Sequence, residues 1–225
     1  MRGEKRTVTN RVEILEQLRV TRVVAVVRGS TAEHLQATVQ TLVDNGLRCV
    51  ELTLNTPSAL TVLADFAQRY SDVAWGAGTV LSVGGVQAAA DAGARFIIAP
   101  NVDAEVGAAC AEAGLGWFPG AATPTEIQHA WSLGATAVKI FPARSLGGPD
   151  YLREVAAPLN GIPMVPTGGV ALDAIGDYLA AGAIAVGLGG PLIGNSLQVG
   201  DAIGLAARAR RALAMAQSAP TVPAG

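Results

Sequence analysis

The chain has 225 residues, half of them hydrophobic and only 15% charged, with a formal net charge of −2. Such a length holds one large domain or two small ones, and so little charge implies a large core with part of the surface covered by other subunits. A balance this close to neutral leaves no electrostatic footprint for nucleic acid or an anionic membrane, and no apolar run reaches the ~18 residues that span a bilayer.

The opening stretch MRGEKRTVTNRVEIL is polar and charged, so no secretory signal is read there. A helix is expected over about residues 9–19, after a tail at 1–8. The first apolar run is RVVAVVRG (22–29), followed by STAEHLQATVQTLVDNG, read as a helix opened by a Ser30–Glu33 capping box and stopped at Gly46. The run RCVELTLN (48–55) leads into a helix for which Thr56 is the expected N-cap and Pro57 the first helical residue. Three more runs follow: VAWGAGTV (73–80), RFIIAPN (95–101) and LGWFPGAA (115–122). In ATPTEIQHAWSLG, Thr123 caps, Pro124 follows, Glu126 closes the box and Gly134 ends the helix. The runs TAVKIFPA (136–143), IPMVPTGGV (162–170) and AIAVGLGG (183–190) complete the set, and a small, Pro-rich tail is expected at 215–225.

These eight runs are continuously apolar, as parallel strands buried on both faces are. Five intervening segments end on one phrase (DNGLRCV, DAGARFI, EAGLGWF, SLGATAV, AAGAIAV) whose Gly suits a helix C-cap of positive φ. Eight βα repeats in a single domain over 1–225 predict an α/β fold, a (β/α)8 TIM barrel with an extra N-terminal helix across its bottom. A doubly wound open sheet is the alternative, disfavoured because no strand reads as an edge.

On a barrel, chemistry lies at the C-terminal ends of the strands. The polar residues that interrupt the runs near those ends are Arg28, Glu51, Thr53, Asn55, Thr79, Asn101, Lys139 and Thr167. Alternation puts Glu51, Thr53 and Asn55 on one face. Lys139 is one of only two lysines in a chain that otherwise writes its positive charge as arginine. Burial lowers an ammonium's pKa and yields a neutral amine able to attack a ketone, and Glu51 is the nearby carboxylate for proton transfer. A plain Lys139–Glu51 ion pair without chemistry is the competing reading. Gly168 and Gly169 in PTGGV, with Gly189 and Gly190 in GLGG, match the loops with which barrels bind phosphate, although tight turns also need glycine. His34 and His129 fall in helix patterns, Cys49 and Cys110 read as reduced buried thiols, and no spacing suggests a metal site.

Taken in order, VELTLNTP, GAGTVL, FIIAPN, PGAATPTE, VKIFPA, PTGGV and VGLGG resemble the KDPG (2-keto-3-deoxy-6-phosphogluconate) aldolase family, with its KDPGal and 4-hydroxy-2-oxoglutarate relatives, over about residues 20–212. The resemblance implies a cytoplasmic, metal-free class I aldolase, a lyase without cofactor and usually a homotrimer. Its imine lysine would be Lys139 and its general acid/base Glu51. Thr79 and an arginine would hold the pyruvyl carboxylate, Pro100 and Phe141 would line the pocket, and Gly168, Gly169 and the loop of Gly189 and Gly190 would take the phosphate.

Two positions depart from the family pattern. Asn55 stands where relatives carry the carboxylate-binding arginine, so Arg28 is expected to supply that charge. GLGGPL lacks a serine found in relatives, and Pro191 has no N–H to offer. Thr167 resembles the residue carried by gluconate-specific relatives, where galactonate-specific ones tend to carry Val, so the resemblance implies the gluconate-derived substrate. The expected reaction is cleavage of a 2-keto-3-deoxy sugar acid to pyruvate and an aldehyde, glyceraldehyde 3-phosphate first. A metal-free phosphosugar isomerase or epimerase and a non-catalytic scaffold or sensor are the competing classes.

Overall fold

The structure, a computed structural model, describes residues 2–220. In chain order the elements are α1 (Arg2–Thr21), β1 (Val23–Val27), α2 (Leu35–Asp44), β2 (Cys49–Thr53), α3 (Ala59–Arg69), β3 (Ala74–Gly78), α4 (Val83–Asp91), β4 (Phe96–Ile98), α5 (Ala104–Ala113), β5 (Gly116–Phe118), β6 (Gly120–Ala121), α6 (Pro124–Ser132), β7 (Val138–Ile140), α7 (Gly148–Ala156), β8 (Met164–Pro166), α8 (Ile175–Ala180), β9 (Val186–Leu188), α9 (Gly190–Ile193), α10 (Ser196–Val199) and α11 (Ala202–Ser218). Every apolar run holds a strand. The fifth is cut in two at Pro119, whose ring nitrogen has no hydrogen to give a ladder.

All strand pairs are parallel. Six strands form one sheet in the order β5-β4-β3-β2-β1-β9, and three form another in the order β6-β7-β8. The sheets meet at Pro119 on one side and at an isolated parallel bridge, Thr167–Gly187, on the other. The result is an α/β fold with a curled parallel sheet, hydrogen-bonded in two pieces.

Alternation divides the core into two clusters. Residues such as Val23, Ala25, Val27, Val50, Leu52 and Trp75 point outward and pack with the helices. Val24, Cys49, Ala74, Phe96, Ile98, Phe118, Ala137, Val165 and Ala185 point inward and form a second apolar cluster. Ile14 and Leu18 of α1, both fully buried, close that cluster from below. Phe96 and Phe118 stack there with ring centroids 5.2 Å apart.

The helix signals fared unevenly. Gly46, Gly93, Gly114, Gly134 and Gly182, the five phrase glycines, all have positive φ. Thr123 accepts from Glu126 N–H, while the Glu126 carboxylate accepts from Ala122 N–H at 2.8 Å and from the Thr123 hydroxyl at 3.0 Å. The Ser30–Glu33 box does not form: α2 starts at Leu35 with His34 at its N-cap, and Glu33 N–H donates to the Thr31 hydroxyl. Thr56 and Pro57 do not open α3 either. That helix starts at Ala59 behind left-handed Ser58, because the Thr56 hydroxyl is engaged by Gly29 N–H and by Thr53.

The expected tails are shorter than 1–8 and 215–225, since residues 2–8 and 215–218 are helical. At the C-terminal end the reason is Arg22, whose guanidinium donates to the carbonyls of Ala216, Ala219 and Pro220. Residues 1 and 221–225 of those tails lie outside the described residues. Among the described residues no helix is long and apolar enough to cross a membrane.

Candidate active site

Lys139 occupies the middle of β7, in register with Gly120 of β6 and Val165 of β8. Glu51 occupies the middle of β2, in register with Val26 of β1 and Gly76 of β3. Both side chains point into the curled sheet, one step above the apolar cluster, and both are buried, Lys139 at 4% exposure and Glu51 at 0%. Space for the carboxylate is made by Gly78, where a Cβ would collide with the Glu51 head group. No ion pair joins the two among the described residues, and neither Glu51 oxygen has a hydrogen-bond partner there. The Phe141 ring faces the amine, 4.7 Å from Nζ to centroid, a cation–π distance.

Electrostatics follow from burial. Desolvation lowers the Lys139 pKa from its ordinary 10.5; the Glu51 charge opposes that shift and Arg28 adds to it. Desolvation raises the Glu51 pKa, and the positive charges of Lys139 and Arg28 pull it back. Each group is therefore pushed toward its neutral form, and each holds the other partly charged.

Around this pair the strand ends bring several expected residues together. Arg28, exposed at the end of β1, donates to the Thr79 hydroxyl at 2.9 Å. Thr79 is a non-glycine residue with φ of 57°, a left-handed conformation that β-branched residues resist. Thr53 is fully buried and its hydroxyl pairs with Thr56 at 2.9 Å, while Thr56 accepts from Gly29 N–H at 3.1 Å. Thr53 thus braces the Arg28–Gly29 turn through Thr56. Asn55, on the same alternation face, is exposed beyond the strand end. Pro100 and Phe141 are half-buried, and a Cβ at Gly120 would collide with the Pro100 carbonyl, so β6 and the segment just after β4 approach closely there.

Gly168 and Gly169 follow β8 with φ of +96° and +75°, a turn open only to glycine. Gly189 precedes α9 and Gly190 begins it, exposed. Thr167, 8% exposed, donates its hydroxyl to the Val165 carbonyl at 3.3 Å and fills space left by Gly187. One residue at these loops escaped sequence reasoning. Arg144, after β7, lays its stem across Gly169. Its signal is an arginine four residues beyond the strand, just outside the apolar run that holds Lys139 and Phe141. His34 and His129 stay with helices α2 and α6, and among the described residues no group of three His, Cys, Asp or Glu could hold a metal. Cys49 and Cys110 are free and buried, with the Cys110 thiol pushed up to about 12 by desolvation.

The sequence matches the family model described as "Aldolase: KDPG and KHG aldolase" over residues 14–205. It is 38% identical over 169 residues to the 2-dehydro-3-deoxy-phosphogluconate aldolase of Treponema pallidum (strain Nichols), covering 75% of this chain and 80% of that one. A solved structure described as "Native KDPGal structure" superposes with a TM-score of 0.79 at 32% identity, over 87% of this chain and 94% of that one. The KDPG aldolase of Legionella pneumophila, solved with pyruvate captured as a covalent carbinolamine, superposes with a TM-score of 0.75 at 25% identity, over 84% and 93%.

Proposed function

The chain belongs to the KDPG and KHG aldolase family, and on that premise we propose that it is a class I aldolase, a carbon–carbon aldehyde-lyase working through an imine on Lys139. Its substrate is 2-keto-3-deoxy-6-phosphogluconate or a close 2-keto-3-deoxy sugar acid, and its products are pyruvate and an aldehyde, glyceraldehyde 3-phosphate first. The observation that carries the reading is a buried amine of lowered pKa with a buried carboxylate, unpartnered among the described residues, on the same interior face.

The neutral Lys139 amine adds to the C2 ketone, and the carbinolamine loses water to give the imine. Glu51, directly or through a water, accepts the proton of the C4 hydroxyl. The C3–C4 electron pair moves into the protonated imine, which becomes an enamine as the aldehyde departs. Glu51 returns the proton to C3, and water releases pyruvate and the free amine. Arg28 and Thr79, already joined, hold the pyruvyl carboxylate, for which a guanidinium offers two parallel hydrogen bonds. Phe141 and Pro100 line the pocket. Thr167, the loop of Gly168 and Gly169 and that of Gly189 and Gly190 receive the far end of the substrate, with backbone N–H groups for a phosphate. Asn55 sits at the rim. All atoms that react belong to lysine, carboxylate, substrate and water, so the reading needs no metal or organic cofactor.

The Pro119 break and the Thr167–Gly187 bridge support reading the two sheets as one (β/α)8 barrel, its floor closed by α1. The exposed apolar residues Leu81, Val83 and Ile203 support a homotrimer that covers part of this surface, and two reduced thiols support a cytoplasmic protein.

Borohydride reduction in the presence of pyruvate tests the mechanism. A fixed mass gain on Lys139 is expected, and its absence would exclude the imine and favour an isomerase or epimerase. A retro-aldol assay on the gluconate- and galactonate-derived phosphates and on 4-hydroxy-2-oxoglutarate then ranks the substrates.

A further inference from the structure

We propose that Arg144 is the residue that distinguishes phosphorylated from non-phosphorylated substrate, its guanidinium supplying positive charge to an anion at the Gly168–Gly169 turn. The inference rests on the aldolase reading above and extends it to a residue that the reading does not use.

The backbone first fixes where Arg144 can be. Beyond the ends of β7 and β8, Ala143 N–H donates to the Thr167 carbonyl at 2.9 Å and Arg144 N–H to the Gly168 carbonyl at 3.0 Å. The ladder thus continues past the strands and pins the Arg144 backbone beside the glycine pair.

The side-chain stem lies against the same turn. A Cβ built on Gly169 would lie 2.8 Å from Arg144 Cβ and 2.9 Å from its Cδ. Glycine at 169 therefore does two things: it permits the left-handed turn, and it leaves the groove in which the arginine stem lies. The head group is exposed, and no hydrogen bond or ion pair ties it to the described residues. Arg69, Arg153 and Arg208 differ, each paired with an aspartate, and Arg28 is engaged by Thr79.

A stem already packed against the turn, with a fork that makes no hydrogen bond or ion pair to the described residues, costs less to order around a ligand than a free arginine, and the fork matches two phosphate oxygens. The opposing loop makes such a cation useful. Gly190 brings no side chain and Pro191 no N–H, so the two loops offer an anion only backbone dipoles. The substrate carries a carboxylate at one end and a phosphate at the other; Arg28 would meet the first and Arg144 the second.

The test compares wild type, Arg144→Ala and Arg144→Lys on 2-keto-3-deoxy-6-phosphogluconate and 2-keto-3-deoxygluconate. The ratio of kcat/KM between the two substrates is expected to fall about tenfold in Arg144→Ala, through KM for the phosphorylated substrate, with partial recovery in Arg144→Lys. With inorganic phosphate as competitor, the inhibition constant is expected to rise by a similar factor. Added KCl is expected to weaken phosphorylated-substrate binding more in wild type than in Arg144→Ala. An unchanged ratio, or an equal loss on both substrates, overturns the assignment. Borohydride trapping of pyruvate on wild-type Lys139 separates the two levels: with the adduct present, an unchanged ratio removes only Arg144, whereas no adduct removes the aldolase reading and this inference together.

Discussion

The interior face of the curled sheet has two ends built from the same strands, and they differ by a step of two residues. At the floor stand Cys49, Ala137 and Val165, packed with Phe96, Phe118 and the α1 residues Ile14 and Leu18. Two residues further along the same strands stand Glu51, Lys139 and Thr167, about 7 Å higher. The floor is apolar and sealed, so the layer above it is cut off from water on one side, and that desolvation is what moves both pKa values. The protonation of the upper layer is thus set partly by the apolar residues packed beneath it. The costs fall accordingly: the floor stabilises the fold, and the layer above it gives some of that stability up by burying a carboxylate with no protein partner among the described residues.

The largest effect should come from Lys139→Arg. A guanidinium cannot form the imine, so pyruvate release and borohydride labelling are expected to vanish while circular dichroism and the melting curve report a folded chain. Full turnover in this variant would end the proposed mechanism. Glu51→Gln should come next, slowing cleavage by about 10²–10⁴-fold, read by coupled detection of pyruvate. It should also move the pH inflection of imine formation downward, because the Glu51 charge holds the Lys139 pKa up.

At the floor, Leu18→Ala should cost about 2–5 kcal/mol in denaturant unfolding, the range for truncating a fully buried leucine. If water then reaches the floor, the Lys139 inflection should rise toward 10.5. A loss of stability with no movement of the inflection would show that floor and lysine are independent.

The smallest effect is on stability against pH. A carboxyl whose native pKa is raised binds more protons folded than unfolded, so its contribution falls as pH rises from about 4.5 toward the native value. Lys139 acts the other way, adding stability as pH rises from its lowered native pKa toward 10.5. Glu51→Gln should therefore flatten the acid-side decline, by about 2–4 °C in Tm.

Much of this molecule can be read along the chain. The continuous apolar runs announce parallel strands, and the five C-cap glycines announce helix ends, because both depend on the backbone and its immediate neighbours. Thr123 behaved as a local cap for the same reason. Ser30 and Thr56 did not, although their neighbours offered the same signal. The Thr56 hydroxyl bonds to Gly29 N–H, 27 positions away, and to Thr53. A side chain with a better partner elsewhere abandons the local motif, and no window of sequence contains that partner. Thr53 shows the same limit: its place on the strand was legible, but its role as a brace behind Arg28 was not.

By itself the sequence determined the βα repeat, the inward face of each strand and the presence of one lysine and one glutamate on that face. Those follow from periodicity, which is a property of consecutive residues. Only the tertiary structure decided that Lys139 and Glu51 do not close into an ion pair, that Gly78 makes room for the carboxylate, and that Arg144 lies over Gly169. Each of those facts depends on distances between strands far apart in the chain, which are set when the sheet curls and its layers pack.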